Sequence, residues 1–424
     1  MTPPLLAGRR LAVVLTALVV GCSLPPEAYD EAAGSAPDAP VAQSADVGTV
    51  QLYQTGEEAS LPVLFMGGRE SLTLAFDWFV ADGGRPLTVE FLHLTRDGVP
   101  DLLPTEYLTG FERDDLTDYR RSGVSTVPYV HYEYTFPNGR IGFELSGNYR
   151  LRVSDGSTVL FERPFFVTEQ LAEVRMGFGA TLAGGSSGVS IQPAARVTPG
   201  PRLDGYDAFQ YTLCFARDGI LSAPRCAPEP TAVDLAFFQY YLPRDAAFGP
   251  PAPLFDLDLG LLALNAQVVE INQATVPPTA TLDLDYAEFG GDVQSAVLAP
   301  ASVIAGAFRD VGTAGTDADY VDVTFRYVPP SGRQTARPVF LVGGFNGWSA
   351  AAGWRMTWVP EAQRYEGTFL VKQGRYVYSY VAPGGPSRSG IAIGQPNLFT
   401  ALVYLRDPQR FTDRLVAVQS SVAQ

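Results

Sequence analysis

Ser71-Leu72-Thr73-Leu74-Ala75-Phe76-Asp77 alternates apolar and polar side chains with a period close to two. Successive side chains of an extended chain point to opposite faces, so the pattern predicts a half-buried β-strand. The same alternation returns at Leu151-Arg152-Val153, Phe255-Asp256-Leu257-Asp258-Leu259, Leu282-Asp283-Leu284-Asp285-Tyr286 and Val321-Asp322-Val323-Thr324-Phe325-Arg326-Tyr327. Each run reads as apolar residues on one sheet face and charges on the other. Gly and Pro punctuate the chain at intervals of roughly ten residues, the turn spacing of β-sandwiches. Helical periodicity is scarce. Residues 261–269 have the composition of a short helix, but their surroundings favour strand. The chain therefore reads as all-β, with sandwich domains in series.

The 424 residues carry 30 basic and 45 acidic side chains, a formal charge of −15. Lys372 is the one lysine; the remaining 29 basic residues are arginine. So acidic a chain has no electrostatic footprint for nucleic acid and little attraction to anionic lipid. The 25 Phe and 20 Tyr supply a folded core, which excludes disorder over most of the length.

The N-terminus carries export signals. Arg9 and Arg10 precede the apolar run 11–20, which ends in Val19-Val20-Gly21-Cys22. The run is too short to span a bilayer, and its end resembles a bacterial lipobox. That layout predicts a lipoprotein signal peptide over 1–21, cleavage before Cys22, and acylation of Cys22. The alternative is an ordinary secretory signal with an incidental cysteine. Loss of the two arginines takes −15 to −17. Ser23 follows the cysteine with no acidic retention signal, which points to an outer-membrane lipoprotein facing the periplasm. Residues 22–46, rich in Pro, Ala, Ser and acid, read as a flexible tether.

Cys214 and Cys226 lie 12 positions apart with Pro224 between them. An oxidising compartment suits a hairpin disulfide, which would contribute about 3 kcal/mol in the loop-entropy view. Two free buried thiols are the alternative. No metal site is expected, since His93 and His131 are the chain's two histidines. Each sits in a strand-like stretch and reads as a hydrogen-bonded structural residue. Gly184-x-Ser186-x-Gly188 matches a nucleophile elbow in letters only, because both histidines lie upstream and no helix pattern follows. Gly177-Phe178-Gly179 opens a dinucleotide pattern that its sequel does not complete. Asp256, Asp258, Asp283 and Asp285 are explained by strand alternation as solvent-facing positions. No cofactor and no catalytic residue is assigned, and the chain reads as a non-enzyme.

Two stretches carry a family resemblance. The first includes Val50-Gln51-Leu52-Tyr53, 61–67 and 71–77. It continues through Thr105-Glu106-Tyr107-Leu108-Thr109-Gly110-Phe111 and Leu116-Thr117-Asp118-Tyr119-Arg120-Arg121-Ser122. His131-Tyr132, Phe136-Pro137-Asn138 and Ser146-Gly147-Asn148-Tyr149-Arg150-Leu151-Arg152-Val153 complete it. In order and spacing these pieces resemble the N-terminal domain of the type 9 secretion system plug proteins of Bacteroidetes-like bacteria. The family's usual histidine-cysteine pair and tryptophan around 93–104 are reduced here to His93, followed by Leu94. The second stretch runs from Val339-Phe340-Leu341-Val342-Gly343-Gly344-Phe345-Asn346-Gly347-Trp348 through Tyr365–Tyr380 to Asn397–Tyr404 and Phe411–Leu415. It resembles the C-terminal end of the same family; the middle, 171–316, matches poorly.

The resemblance implies a non-catalytic subunit that closes the outer-membrane translocon barrel from the periplasmic side. Its partners would be that barrel and, through the lipid anchor, the outer membrane. Val342–Trp348 is also similar to a strand of glycogen-binding modules, where a tryptophan stacks on sugar. Ser379 stands where those modules carry a lysine, and 382–390 holds no second tryptophan. A carbohydrate-binding lipoprotein is the alternative function. The resemblances sharpen the fold class to immunoglobulin-like and early-set β-sandwiches over 47–170, 171–316 and 317–424. Trp348, Phe345, Tyr107 and Tyr119 are the candidate contacts to a partner or a sugar.

Overall fold

The computed structural model describes residues 43–423, apart from 59, 81, 124, 183–188, 222–223, 250–252, 288–315, 331 and 383–396. The predicted signal peptide, Cys22, the tether up to residue 42 and the 184–188 loop lie outside the described residues.

The first sandwich is built from β1 (Val47–Gln54), β2 (Val63–Phe65), β3 (Leu72–Trp78), β4 (Leu87–Leu94), β5 (Leu108–Gly110), β6 (Arg113–Leu116), β7 (Asp118–Arg121), β8 (Val130–Phe136), β9 (Ile141–Phe143), β10 (Gly147–Asp155) and β11 (Thr158–Thr168). One sheet has the order β1-β3-β8-β7 and the other β2-β11-β10-β4-β6; β5 and β9 pair apart. Leu72, Leu74 and Phe76, the apolar positions of the opening heptad, enter the core. There Phe76 stacks on Tyr132 at 5.0 Å and meets Phe161 edge-on at 4.8 Å. Aromatic pairs of this geometry add to the burial of their area. The polar face of β3 departs from the expectation. Thr73, Ala75 and Asp77 are buried as well. A period of two identifies two faces but not what covers the second.

The second sandwich begins with β12 (Ala172–Leu182), β13 (Val189–Pro199), β14 (Tyr211–Arg217), β15 (Arg225–Ala227), β16 (Ala232–Val233) and β17 (Phe238–Tyr241). The third holds β18 (Phe255–Asp258), β19 (Val268–Asn272), β20 (Thr279–Tyr286), β21 (Tyr320–Val328), β22 (Phe340–Gly343), β23 (Thr357–Val359), β24 (Arg364–Lys372) and β25 (Arg375–Val381). Its sheets run β18-β25-β22 and β19-β20-β21-β24-β23. The chain then leaves it. β26 (Asn397–Asp407) and β27 (Thr412–Ala423) return to the second sandwich, whose sheets are β12-β13-β17-β16 and β15-β14-β26-β27.

This topology corrects the serial division at 316/317. The second sandwich is discontinuous, with the third inserted between β17 and β26. Seven residues of β14, from Tyr211 to Arg217, pair antiparallel with Leu405 to Phe399 of β26. Strand alternation at 397–407 announces a strand, and nothing local names its partner more than 180 residues upstream. Cys214 and Cys226 face each other directly across β14 and β15 and form a disulfide. Residues 261–267 are loop, and β19 follows at Val268.

Candidate functional site

The first sandwich grips both of its neighbours, and buried polar groups make each joint. At the joint with the third sandwich, Asp77 on β3 stands opposite His131 on β8, and Tyr320 on β21 stands opposite Lys372 on β24. The two cross-strand pairs meet face to face. Asp77 Oδ1 lies 2.7 Å from His131 Nδ1, while Oδ2 accepts from the Tyr320 hydroxyl at 2.7 Å and from Lys372 Nζ at 2.5 Å. An irregularity in β1 between Gly48 and Gln51, with Thr49 at φ +48°, brings the Thr49 hydroxyl 2.8 Å from that of Tyr320. Bulges re-aim side chains in this way. Around the cluster, Asp319 Oδ1 accepts from Ser125 Oγ, Thr126 N and Thr126 Oγ1 at 2.8–2.9 Å, and the Tyr129 hydroxyl donates to the Ala318 carbonyl at 2.8 Å. Burial lowers the Lys372 amine below its ordinary pKa, and the Asp77 charge only partly offsets it.

The joint with the second sandwich centres on β27. His93 Nδ1 lies 2.7 Å from Asp101 Oδ1, and Thr412 donates to the other oxygen of Asp101. Burial works to raise the Asp101 pKa, but the bonds from His93 and Thr412 outweigh it and hold the carboxyl below the usual range. A Cβ at Gly147 would run into the His93 imidazole, and φ there is +153°, so glycine is required. Arg414 forks onto Glu169 with bonds of 2.8 and 2.7 Å, and Ser146 Oγ donates to the same carboxylate at 2.7 Å. Leu415 and Val416 accept backbone bonds from Glu169 and Leu171. Beside these bonds an apolar cluster joins Val63 and Phe166 to Cys214, Leu402, Tyr404 and Leu415, so the disulfide strand lies against the joint.

The four candidate contact residues fare differently. Tyr107 is buried, donates to the Phe91 carbonyl at 2.8 Å, and packs beside His93 and Tyr149. Phe345 is buried and stacks on Trp354 at 5.1 Å. Both are core residues, which corrects their candidacy as contacts; Tyr107 ends a short helix and Phe345 sits in a 3-10 turn, and their rings gain more by burial than by display. Tyr119 is half-buried against Tyr132 at 5.2 Å. Trp348, at φ +60°, is half-buried against Val377 and Leu254. The structure does not bring these four together. Asp285 also departs from expectation: it turns inward to accept from the Tyr378 and Tyr380 hydroxyls at 2.8 and 2.6 Å. Asp283 does remain exposed, while Asp256 and Asp258 are half-buried. Sequence reading missed the Asp77–Lys372–Tyr320 cluster. The one signal for it was a single lysine in a chain of arginines.

Among the described residues, no group of three or more His, Cys, Asp or Glu is arranged to hold a metal, and no helix is long and apolar enough to cross a membrane.

The first sandwich coincides with a known domain. Residues 47–169 match the type 9 secretion system plug protein 1st domain. The match carries a plug-type domain of that system onto β1–β11. Among curated proteins, none matches the chain. The whole described fold resembles the crystal structure of a hypothetical protein from Parabacteroides merdae. Identity is 21% and the TM-score 0.80, over 92% of this chain and 100% of that one. At that identity the likeness establishes the shared fold. A purple acid phosphatase from yellow lupin (Lupinus luteus) aligns at 8% identity and TM-score 0.15, over 88% of this chain and 41% of that one, which carries no argument.

Proposed function

We propose that the chain is a non-enzymatic plug subunit of the type 9 secretion system, closing the outer-membrane translocon barrel from the periplasmic side. The observation that carries this reading is the plug-domain match over 47–169. The joints support it: closing a channel calls for a body that does not flex, and here one sandwich is bonded to two others through buried polar clusters. An acyl chain on Cys22 would hold this body at the outer membrane and raise its effective concentration near the barrel mouth without adding a contact. Deleting the protein is expected to give a leaky outer membrane with secretion retained, and in the intact strain the tagged protein is expected to capture the barrel after mild crosslinking. Unaltered permeability with no barrel captured would overturn the proposal. For the anchor, Cys22→Ala is expected to abolish labelling by a palmitate analogue; persistent labelling would place the lipid elsewhere.

The carbohydrate-binding alternative draws no support from the third sandwich. Phe345 is core, and Ser379, where a sugar-contacting lysine would stand, is buried and donates to the Pro253 carbonyl at 2.7 Å.

A further inference from the structure

Lys372 and Asp77 are held in a setting that suits more than an ion pair. Nζ and Oδ2 lie 2.5 Å apart, and each side chain is 1% exposed. Nζ also sits 4.4 Å from the centroid of the Tyr129 ring and 5.9 Å from that of Tyr320. The two residues come from different sandwiches, 295 positions apart in sequence.

The residue type is the second observation. The chain uses arginine at 29 of its 30 basic positions. A guanidinium would offer Asp77 two parallel bonds and a permanent charge. At this buried position the chain has an amine instead, and an amine differs from a guanidinium in that it can lose its proton and act as a nucleophile. Desolvation here favours that loss. Proton-handling groups flank the carboxyl on both sides, the Tyr320 hydroxyl on Oδ2 and the His131 ring on Oδ1.

We propose that Asp77 and Lys372 condense to an isopeptide bond that ties the first sandwich covalently to the third. A proton passes from the Lys372 ammonium to Asp77, leaving a neutral amine against a neutral carboxyl. The Nζ lone pair attacks Asp77 Cγ and forms the C–N bond. The His131 ring supports the charge that develops on Oδ1. A second amine proton reaches Oδ2 by way of the Tyr320 hydroxyl, the Cγ–Oδ2 bond breaks, and one water leaves. Carboxylate plus ammonium give amide plus water, so charge and atoms balance with no oxidant, activator or co-reactant. Held in contact and shielded from water, two such groups react at effective concentrations on the order of 10⁵–10⁸ M.

The test is peptide mapping of the purified, reduced full chain by mass spectrometry after trypsin. Arg85 precedes Pro86, so Asp77 falls in the peptide 70–96, while Lys372 falls within 365–375. The expected product is a branched species of 70–96 joined to 365–375, uncleaved at Lys372 and lighter than the two together by one water. Lys372→Arg is expected to give 70–96 free, with 365–372 and 373–375 cleaved apart. Wild-type protein that yields only the free peptides, cleaved after Lys372, overturns the proposal and leaves a buried ion pair.

Discussion

Asp285 shows how a residue's burial can reverse what its sequence pattern suggests. It occupies an alternating strand among acids that face water, yet its carboxylate is enclosed by Tyr378 and Tyr380. Burial raises its pKa to about 6; the two tyrosine hydroxyls pull the other way, and Asp283 adds to the rise. A group whose folded pKa exceeds its unfolded value of 3.8 stabilises the fold fully below that value, and the contribution is lost as pH rises through about 6. Denaturant titrations should show wild type gaining about 2–3 kcal/mol relative to Asp285→Asn as pH falls from 7 to 4. A constant difference across that range would remove the assignment. Asp101 has the opposite sign: its lowered pKa stabilises above 3.8 and fails in acid. His93 and His131 were readable from sequence as hydrogen-bonded strand residues. Their partners, Asp101 and Asp77, were not, because a side-chain bond leaves no periodic trace.

At the scale of elements, alternation located strands well and their neighbours poorly. The pattern at 321–327 gives β21, but its parallel pairing with β20 and antiparallel pairing with β24 come from the assembled sheet. β27 carries the clearest energetic consequence. Its Arg414 forks onto Glu169 at the point where the chain passes from first to second sandwich, and the bond to Glu169 raises the guanidinium pKa further. Arg414→Ala leaves the Glu169 carboxylate half-enclosed with Ser146 as a remaining partner. Truncating one member of a charge-assisted pair of this kind costs about 2–3 kcal/mol. The expected result is a fall of that size in equilibrium stability by urea unfolding; a change below about 0.5 kcal/mol would mark the pair as a surface bridge.

For the whole molecule, the inserted third sandwich is the feature with the sharpest test. A chain ending at residue 396 lacks β26 and β27, and so strips two strands from the sheet β15-β14-β26-β27. Tyr211, Leu213 and Phe215, fully buried in the intact protein, lose that cover. Hydrogen exchange on the truncated chain should show lost protection in 171–249 and retained protection in β18–β25. A serial arrangement would give the reverse. By itself the sequence determined the all-β class, the clearly alternating strands, the net negative charge and the plug-like first domain, because periodicity, charge and motif order are local or additive properties of the chain. Tertiary structure alone decided which strands share a sheet, that Tyr107 and Phe345 are core, and that Asp77 meets Lys372. Those outcomes depend on contacts across hundreds of residues, where the energy lies in mutual burial and no local pattern records the partner.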